Sequence, residues 1–143
     1  MKYKFLEHTA DAKFQAFGKT LEEAFSNAAL AMFSIMIEPS KVKNKIKKEF
    51  EVTGKDKKSL LYKFLEEILF LLDTEGFVLN KVEKLEISEN KLKAVLAGDN
   101  IKSYKLSGDV KAVTYNDMEI KEPSLEKNVR EENQFMVQVV VDL

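Results

Sequence analysis

At 143 residues the chain has the length of one domain, enough to bury a self-sufficient core. Its 45% apolar and 33% charged composition excludes a disordered tail and describes a globule with a highly charged surface. A net charge of −1, with Arg130 as the only arginine, argues against a domain that grips nucleic acid by bulk charge or reads it by bidentate contacts. With no cysteine there is no disulfide framework, thiolate metal site or thiol nucleophile.

Tyr3–Leu6 reads as a first strand, and Lys13 to Phe17 as a second that Gly18 closes. Between them lies Glu7-His8-Thr9-Ala10-Asp11, which holds the chain's single histidine. Thr20-Leu21-Glu22-Glu23 matches a capping box, in which the threonine and glutamate side chains satisfy free backbone donors at a helix start. Leu21, Ala24, Phe25, Ala28, Met32, Phe33 and Met36 recur at helical spacing, so the first helix is predicted from Leu21 to Met36, with Pro39 blocking its extension. Lys41 to Lys48 is lysine-rich; it could face phosphates, but Ile46, Phe50 and Val52 alternate with charged residues, which favours the solvent face of a strand.

Thr53-Gly54-Lys55 predicts a turn and Asp56 a cap for the second helix. Leu60, Leu61, Phe64, Leu65, Ile68, Leu69 and Leu72 form that helix's broad apolar stripe, and Gly76 ends it. The stretch is too short to span a bilayer and is interrupted by Lys63, Glu66 and Glu67. With no signal-peptide pattern at the N-terminus, a soluble, cytoplasmic protein is expected. Residues 77–79 and 82–87 read as extended, and Ser88-Glu89-Asn90 turns into a strand over 91–97. Gly98 to Asp109 predicts a mobile loop; 110–115 and 118–120, around Asn116-Asp117, predict a tight hairpin; Lys121 to Asn133 is a second loop. Phe135 to Val141 is apolar on both faces and belongs in the middle of a sheet. The order of elements gives an α+β fold, two helices packed on antiparallel or mixed β-sheet, in a single domain over residues 1–143.

Few residues carry chemistry. There is no phosphate-binding glycine loop, dinucleotide fingerprint or activated serine. Asp11, Asp142 and the main-chain or terminal oxygen of Leu143 are hard oxygen donors suited to calcium or magnesium rather than zinc. By themselves Asp11 is more often a turn residue and Asp142 a solvated terminus, and two carboxylates are too few for an ion. His8 is more often a hydrogen-bonded structural residue than a ligand.

Several separated blocks in order make the chain resemble the archease family. They are Phe5-Leu6-Glu7-His8-Thr9-Ala10-Asp11, Gly18-Lys19-Thr20-Leu21-Glu22-Glu23-Ala24-Phe25, Leu60 to Leu69, Asp73-Thr74-Glu75, Lys111-Ala112-Val113-Thr114-Tyr115 and Val139-Val140-Val141-Asp142-Leu143. The resemblance covers nearly the whole chain. It implies a non-enzymatic protein cofactor of an RtcB-type RNA ligase, the enzyme that joins 3′-phosphate or 2′,3′-cyclic phosphate ends to 5′-hydroxyls in tRNA splicing. Such a cofactor promotes guanylylation of the ligase and repeated turnover, and meets RNA only through the ligase, with no membrane involved. The resemblance also implies a divalent metal site at Asp11, Asp142 and Leu143, with calcium as the expected ion and magnesium or manganese as alternatives. The second role it implies is a chaperone or modulator of an RNA-modifying methyltransferase. The chain departs from the family pattern at Asn116, where the family usually has histidine, and in the 98–109 stretch, which lacks the usual proline and histidine.

Overall fold

The computed structural model describes residues 1–7, 11–123 and 134–143. Seven strands and two α-helices follow one another as β1 (Tyr3–Leu6), β2 (Asp11–Gly18), α1 (Leu21–Ser34), β3 (Ile46–Thr53), α2 (Lys57–Glu75), β4 (Phe77–Ser88), β5 (Lys91–Asn100), β6 (Ala112–Lys121) and β7 (Phe135–Asp142). They form two sheets, β1-β2-β7-β6 and β3-β5-β4. Every pairing is antiparallel, which narrows the expected antiparallel or mixed sheet to the former. Helix α1 packs on β2 and β7 of the first sheet and on β4 of the second, while α2 packs on β6 and on β3, β4 and β5. The helices therefore lie between the sheets and share one core with both.

Local chemistry explains the elements. The Thr20 hydroxyl accepts from the Glu23 N–H at 3.1 Å, and the Glu23 carboxylate accepts from the Lys19 N–H at 3.2 Å, one residue before the cap. Helix α1 ends at Ser34, two residues short of the expected Met36. There the Ile35 and Met36 N–H groups bond to the carbonyls three residues back, tightening the last turn. The Asp56 carboxylate accepts from the Ser59 N–H at 2.8 Å to start α2, and Gly76 ends it in the left-handed conformation at φ 67°. Phe64 of α2, fully buried, lies beside Phe25 of α1 (6.3 Å between ring centres) and Phe50 of β3 (6.1 Å).

Three sequence expectations change. Residues 77–79 and 82–87 belong to one strand, β4, whose register against β5 shifts on either side of Lys81 and Val82. The Asn80 side-chain amide there donates to the carbonyls of Pro39 (3.1 Å) and Val42 (2.7 Å), holding the short 3-10 turn Pro39–Lys41 against the strand. The expected loop over 98–109 is tied down. Gly98 to Asn100 complete β5, and Ile101–Ser103 is a 3-10 turn whose Ile101 N–H donates to Gly76. The Ser107 N–H donates to Met36, and Tyr104 bridges Asp99 and the Lys43 N–H. Gly98 is required because a side chain there would collide with the Val78 carbonyl.

The expected hairpin at Asn116-Asp117 is absent. Residues 112–121 run through as the edge strand β6, and the turn-forming pair sits in a wide bulge. Thr114 pairs with Val140 and Glu119 with Gln138, so four β6 residues face Val139 alone. Asp117 adopts φ 51°, which aspartate tolerates better than most residues. The second loop is described only at its start, where Lys121 still belongs to β6; His8, Thr9, Ala10 and residues 124–133 lie outside the described residues. Strand β7 is central, as its apolar sequence implies, with β2 on one side and β6 on the other. Among the described residues no helix is long and apolar enough to cross a membrane.

Candidate metal centre

The antiparallel pairing of β2 with β7 makes Asp11 the direct partner of Asp142. Side-chain alternation puts both on the face of the sheet turned away from the helices. Phe14, Ala16, Val137, Val139 and Val141 point into the core, so Asp11, Lys13 and Gln15 share the outer face with Asp142, Val140 and Gln138. Cross-strand partners hold their Cβ atoms about 4.5–5.5 Å apart, a spacing at which two carboxylates can meet on one cation. Leu143 follows Asp142 at once and is exposed. The Asp142 carbonyl already accepts from the Lys111 N–H at 2.8 Å, so Leu143 is the better source of a main-chain oxygen.

Further along the same face the polar groups are interlocked. The Gln15 amide donates to the Gln138 carbonyl oxygen at 2.9 Å, and the Gln138 amide donates to the main-chain oxygen of Asp117 at 2.8 Å. Lys13 reaches Asp117 at 3.5 Å, crossing β7 at the level of Val140. The Thr114 hydroxyl donates to the Val140 carbonyl at 2.8 Å and accepts from the Asn116 N–H at 3.3 Å. The β6 bulge thus fixes the surface next to the aspartate pair, and Lys13 stands one pleat from Asp11 with an acidic partner of its own.

The fold sets Asp11 opposite Asp142, and Leu143 is the chain neighbour of Asp142. The proposed donor set is oxygen only and includes two carboxylates, which fits a hard divalent ion. Among the described residues no group of three or more His, Cys, Asp or Glu side chains gathers for a metal, so an ion here would need Leu143 oxygen and water besides the two aspartates. The neighbours Lys13, Gln138 and Asp117 were not singled out from sequence. A parity signal existed: Val113 and Met118 are both apolar but an odd number of residues apart, which a regular edge strand covered on one face does not allow. A groove on the outer face of the second sheet is lined by charged residues, among them the Lys84–Glu86 pair (3.1 Å) and Glu51, whose partner Lys91 (2.9 Å) lies outside the lining, and includes neither aspartate.

Residues 3–143 match the model of the archease protein family (MTH1598/TM1083). The chain belongs to the archease family. Protein archease of Methanosarcina mazei is 40% identical across 99% of this chain and 96% of its own length. That of Thermococcus kodakarensis is 41% identical across 99% of both. Among solved structures, protein 1598 of Methanobacterium thermoautotrophicum superposes with a TM-score of 0.79 at 36% identity, covering 99% of each chain. An archease from Thermotoga maritima, described as a possible chaperone, superposes with a TM-score of 0.62 over 98% of this chain and 96% of that one. At 18% identity that second likeness speaks for the archease fold alone.

Proposed function

We propose that this archease is a protein cofactor of an RtcB-type RNA ligase, and that Asp11, Asp142 and Leu143 hold a divalent ion, calcium first, for that role. The observation that carries the reading is the register that sets Asp11 opposite Asp142 at the end of the central strand. Two carboxylates placed directly across a sheet are close enough to share one cation. Bound there, a divalent ion would supply positive charge able to offset phosphate charge during nucleotidyl transfer. The chain's own contribution is positional. β2 and β7 hold the two carboxylates on one open face, the Lys111–Asp142 hydrogen bond fixes the end of β7, and the β6 bulge shapes the adjoining surface.

The protein alone should turn over no substrate, and added to a ligase from the same organism it should speed transfer of GMP from GTP. The test measures guanylylation and rounds of ligation with wild type, Asp11→Ala and Asp142→Ala. Acceleration by wild type and its loss in both variants, with the fold retained, supports the proposal. An unchanged rate over a wide range of wild-type concentrations overturns it. Suppression of aggregation that survives both substitutions would point instead to a chaperone.

A further inference from the structure

Helix α2 carries an outer face that its own fold does not account for. From Phe64 to Asn80 the chain has the carboxylates Glu66, Glu67, Asp73 and Glu75 and no lysine or arginine. Among the described residues, Glu75 alone of the four has a lysine partner, Lys48 at 2.7 Å. The helix has no basic residue in its last turn, although the dipole there favours cations, and its first turn has no acid. Burial first, then Glu66 and Glu75, push the Glu67 carboxyl above the usual range, so this crowding disfavours the charged form.

Large rings sit within the acidic stretch. At 100° per residue Tyr62, Glu66, Phe70 and Asp73 fall on one side of α2. Phe70 is 55% exposed. Tyr115, from the β6 bulge, is 52% exposed and stacks on Tyr62 with ring centres 4.3 Å apart and planes 7° from parallel. The charges acting on the Tyr115 hydroxyl, after partial burial, are those of Asp56 and Glu66, both negative. Glu66 accepts from the Tyr62 hydroxyl but has no lysine partner among the described residues. Exposed rings among such carboxylates repel the phosphates of nucleic acid and suit a guanidinium, which stacks on an aromatic face while its edge bonds a carboxylate.

We propose that the Tyr62–Glu66–Phe70–Asp73 face, with Tyr115, docks a basic protein surface that presents arginine. The inference rests on the ligase reading for the partner's identity and supplies the surface that meets it. Ala112, three positions before Tyr115, pairs with Asp142, so about 10 Å of strand separates the docking ring from the metal centre's level. The aspartate pair lies on the face of that sheet turned away from α2, so a partner seated on α2 would meet it only by reaching round the β6 edge.

The test measures affinity for the ligase by calorimetry, with circular dichroism confirming that each variant folds. Glu66→Lys and Phe70→Ala are each expected to weaken binding about tenfold or more, the loss typical of a residue central to an interface. Both should still activate guanylylation at saturating concentration, whereas Asp142→Asn should bind normally and activate poorly. Unchanged affinity in folded Glu66→Lys and Phe70→Ala overturns the docking face while leaving the cofactor reading intact. Binding of RNA to this face, or a homodimer that Phe70→Ala dissociates, overturns it as well.

If wild type neither binds nor activates the ligase, the cofactor reading falls and a second measurement decides the face. Tetra-arginine and tetra-lysine peptides are titrated against tyrosine fluorescence, which no tryptophan obscures in this chain. Tighter binding of the arginine peptide, lost in Glu66→Lys, supports the proposal. Equal binding of the two peptides, or no effect of the substitution, overturns it.

Discussion

Asp11 and Asp142 are ordinary surface aspartates in the sequence and a cross-strand pair in the fold. Like charges placed directly opposite on a sheet disfavour one another. In the proposed role the same spacing would let the pair chelate a cation, and the binding energy would become folding stability. At a calcium concentration about a hundredfold above its Kd the gain would be about 2.7 kcal/mol. Calcium is therefore expected to raise the Tm of wild type and to leave that of Asp142→Asn unchanged, while without the ion the variant is no less stable than wild type. Thermal melts of both proteins in calcium and in chelator check this, and an equal calcium response in the two would remove the site.

Among the elements, the segment between β5 and β6 shows how a polar stretch is fixed without regular structure. The Asp99 carboxylate accepts from the Asn100 N–H and the Tyr104 hydroxyl, both at 2.8 Å, and Tyr104 in turn receives the Lys43 N–H at 2.9 Å. The Asn100 N–H first, then the Tyr104 hydroxyl, then Lys45 and Lys43, hold the Asp99 carboxyl below its usual range. A carboxyl whose pKa is lowered on folding stabilises the native state above its unfolded pKa, and the benefit disappears as pH falls through the folded value. Asp99→Asn should therefore be less stable than wild type at neutral pH, with the gap closing below about pH 4. Denaturant unfolding at a series of pH values measures it; a gap constant down to pH 2 would mean that the charge of Asp99 is irrelevant. The β6 bulge is the other element of consequence, since it sends Tyr115 towards α2 and Asp117 towards Lys13 from one interrupted strand.

At the scale of the whole molecule, helices enclosed between two sheets make the centre unforgiving and the rim tolerant. Phe64 is fully buried and touches a ring from each of α1 and β3, so Phe64→Ala should cost about 3–5 kcal/mol through lost burial and the cavity left behind. Phe70, six residues along the same helix and half exposed, should cost within about 0.5 kcal/mol when changed to alanine. Urea unfolding of the two variants measures the contrast, and comparable losses would mean that Phe70 is held by contacts beyond those of a surface ring. The core thus keeps both sheets in one body, while the aspartate pair and the acidic, aromatic side of α2 lie outside it.

The sequence by itself determined the α+β order of elements, both helix starts, the alternation of β3 and the central place of β7. These follow from local rules: a cap bonds three residues away, an apolar stripe repeats within a turn or two, and a strand apolar on both faces must be covered on both. The family resemblance named Asp11, Asp142 and Leu143, but only the tertiary structure decided that Asp11 and Asp142 stand opposite each other, because register between strands so distant in sequence is a non-local choice. It also decided that Asn116-Asp117 is a bulge rather than a turn. Continuing β6 along β7 satisfies more backbone hydrogen bonds and buries Met118, whereas the turn chemistry of two residues favours a hairpin only where no longer strand is waiting to pair.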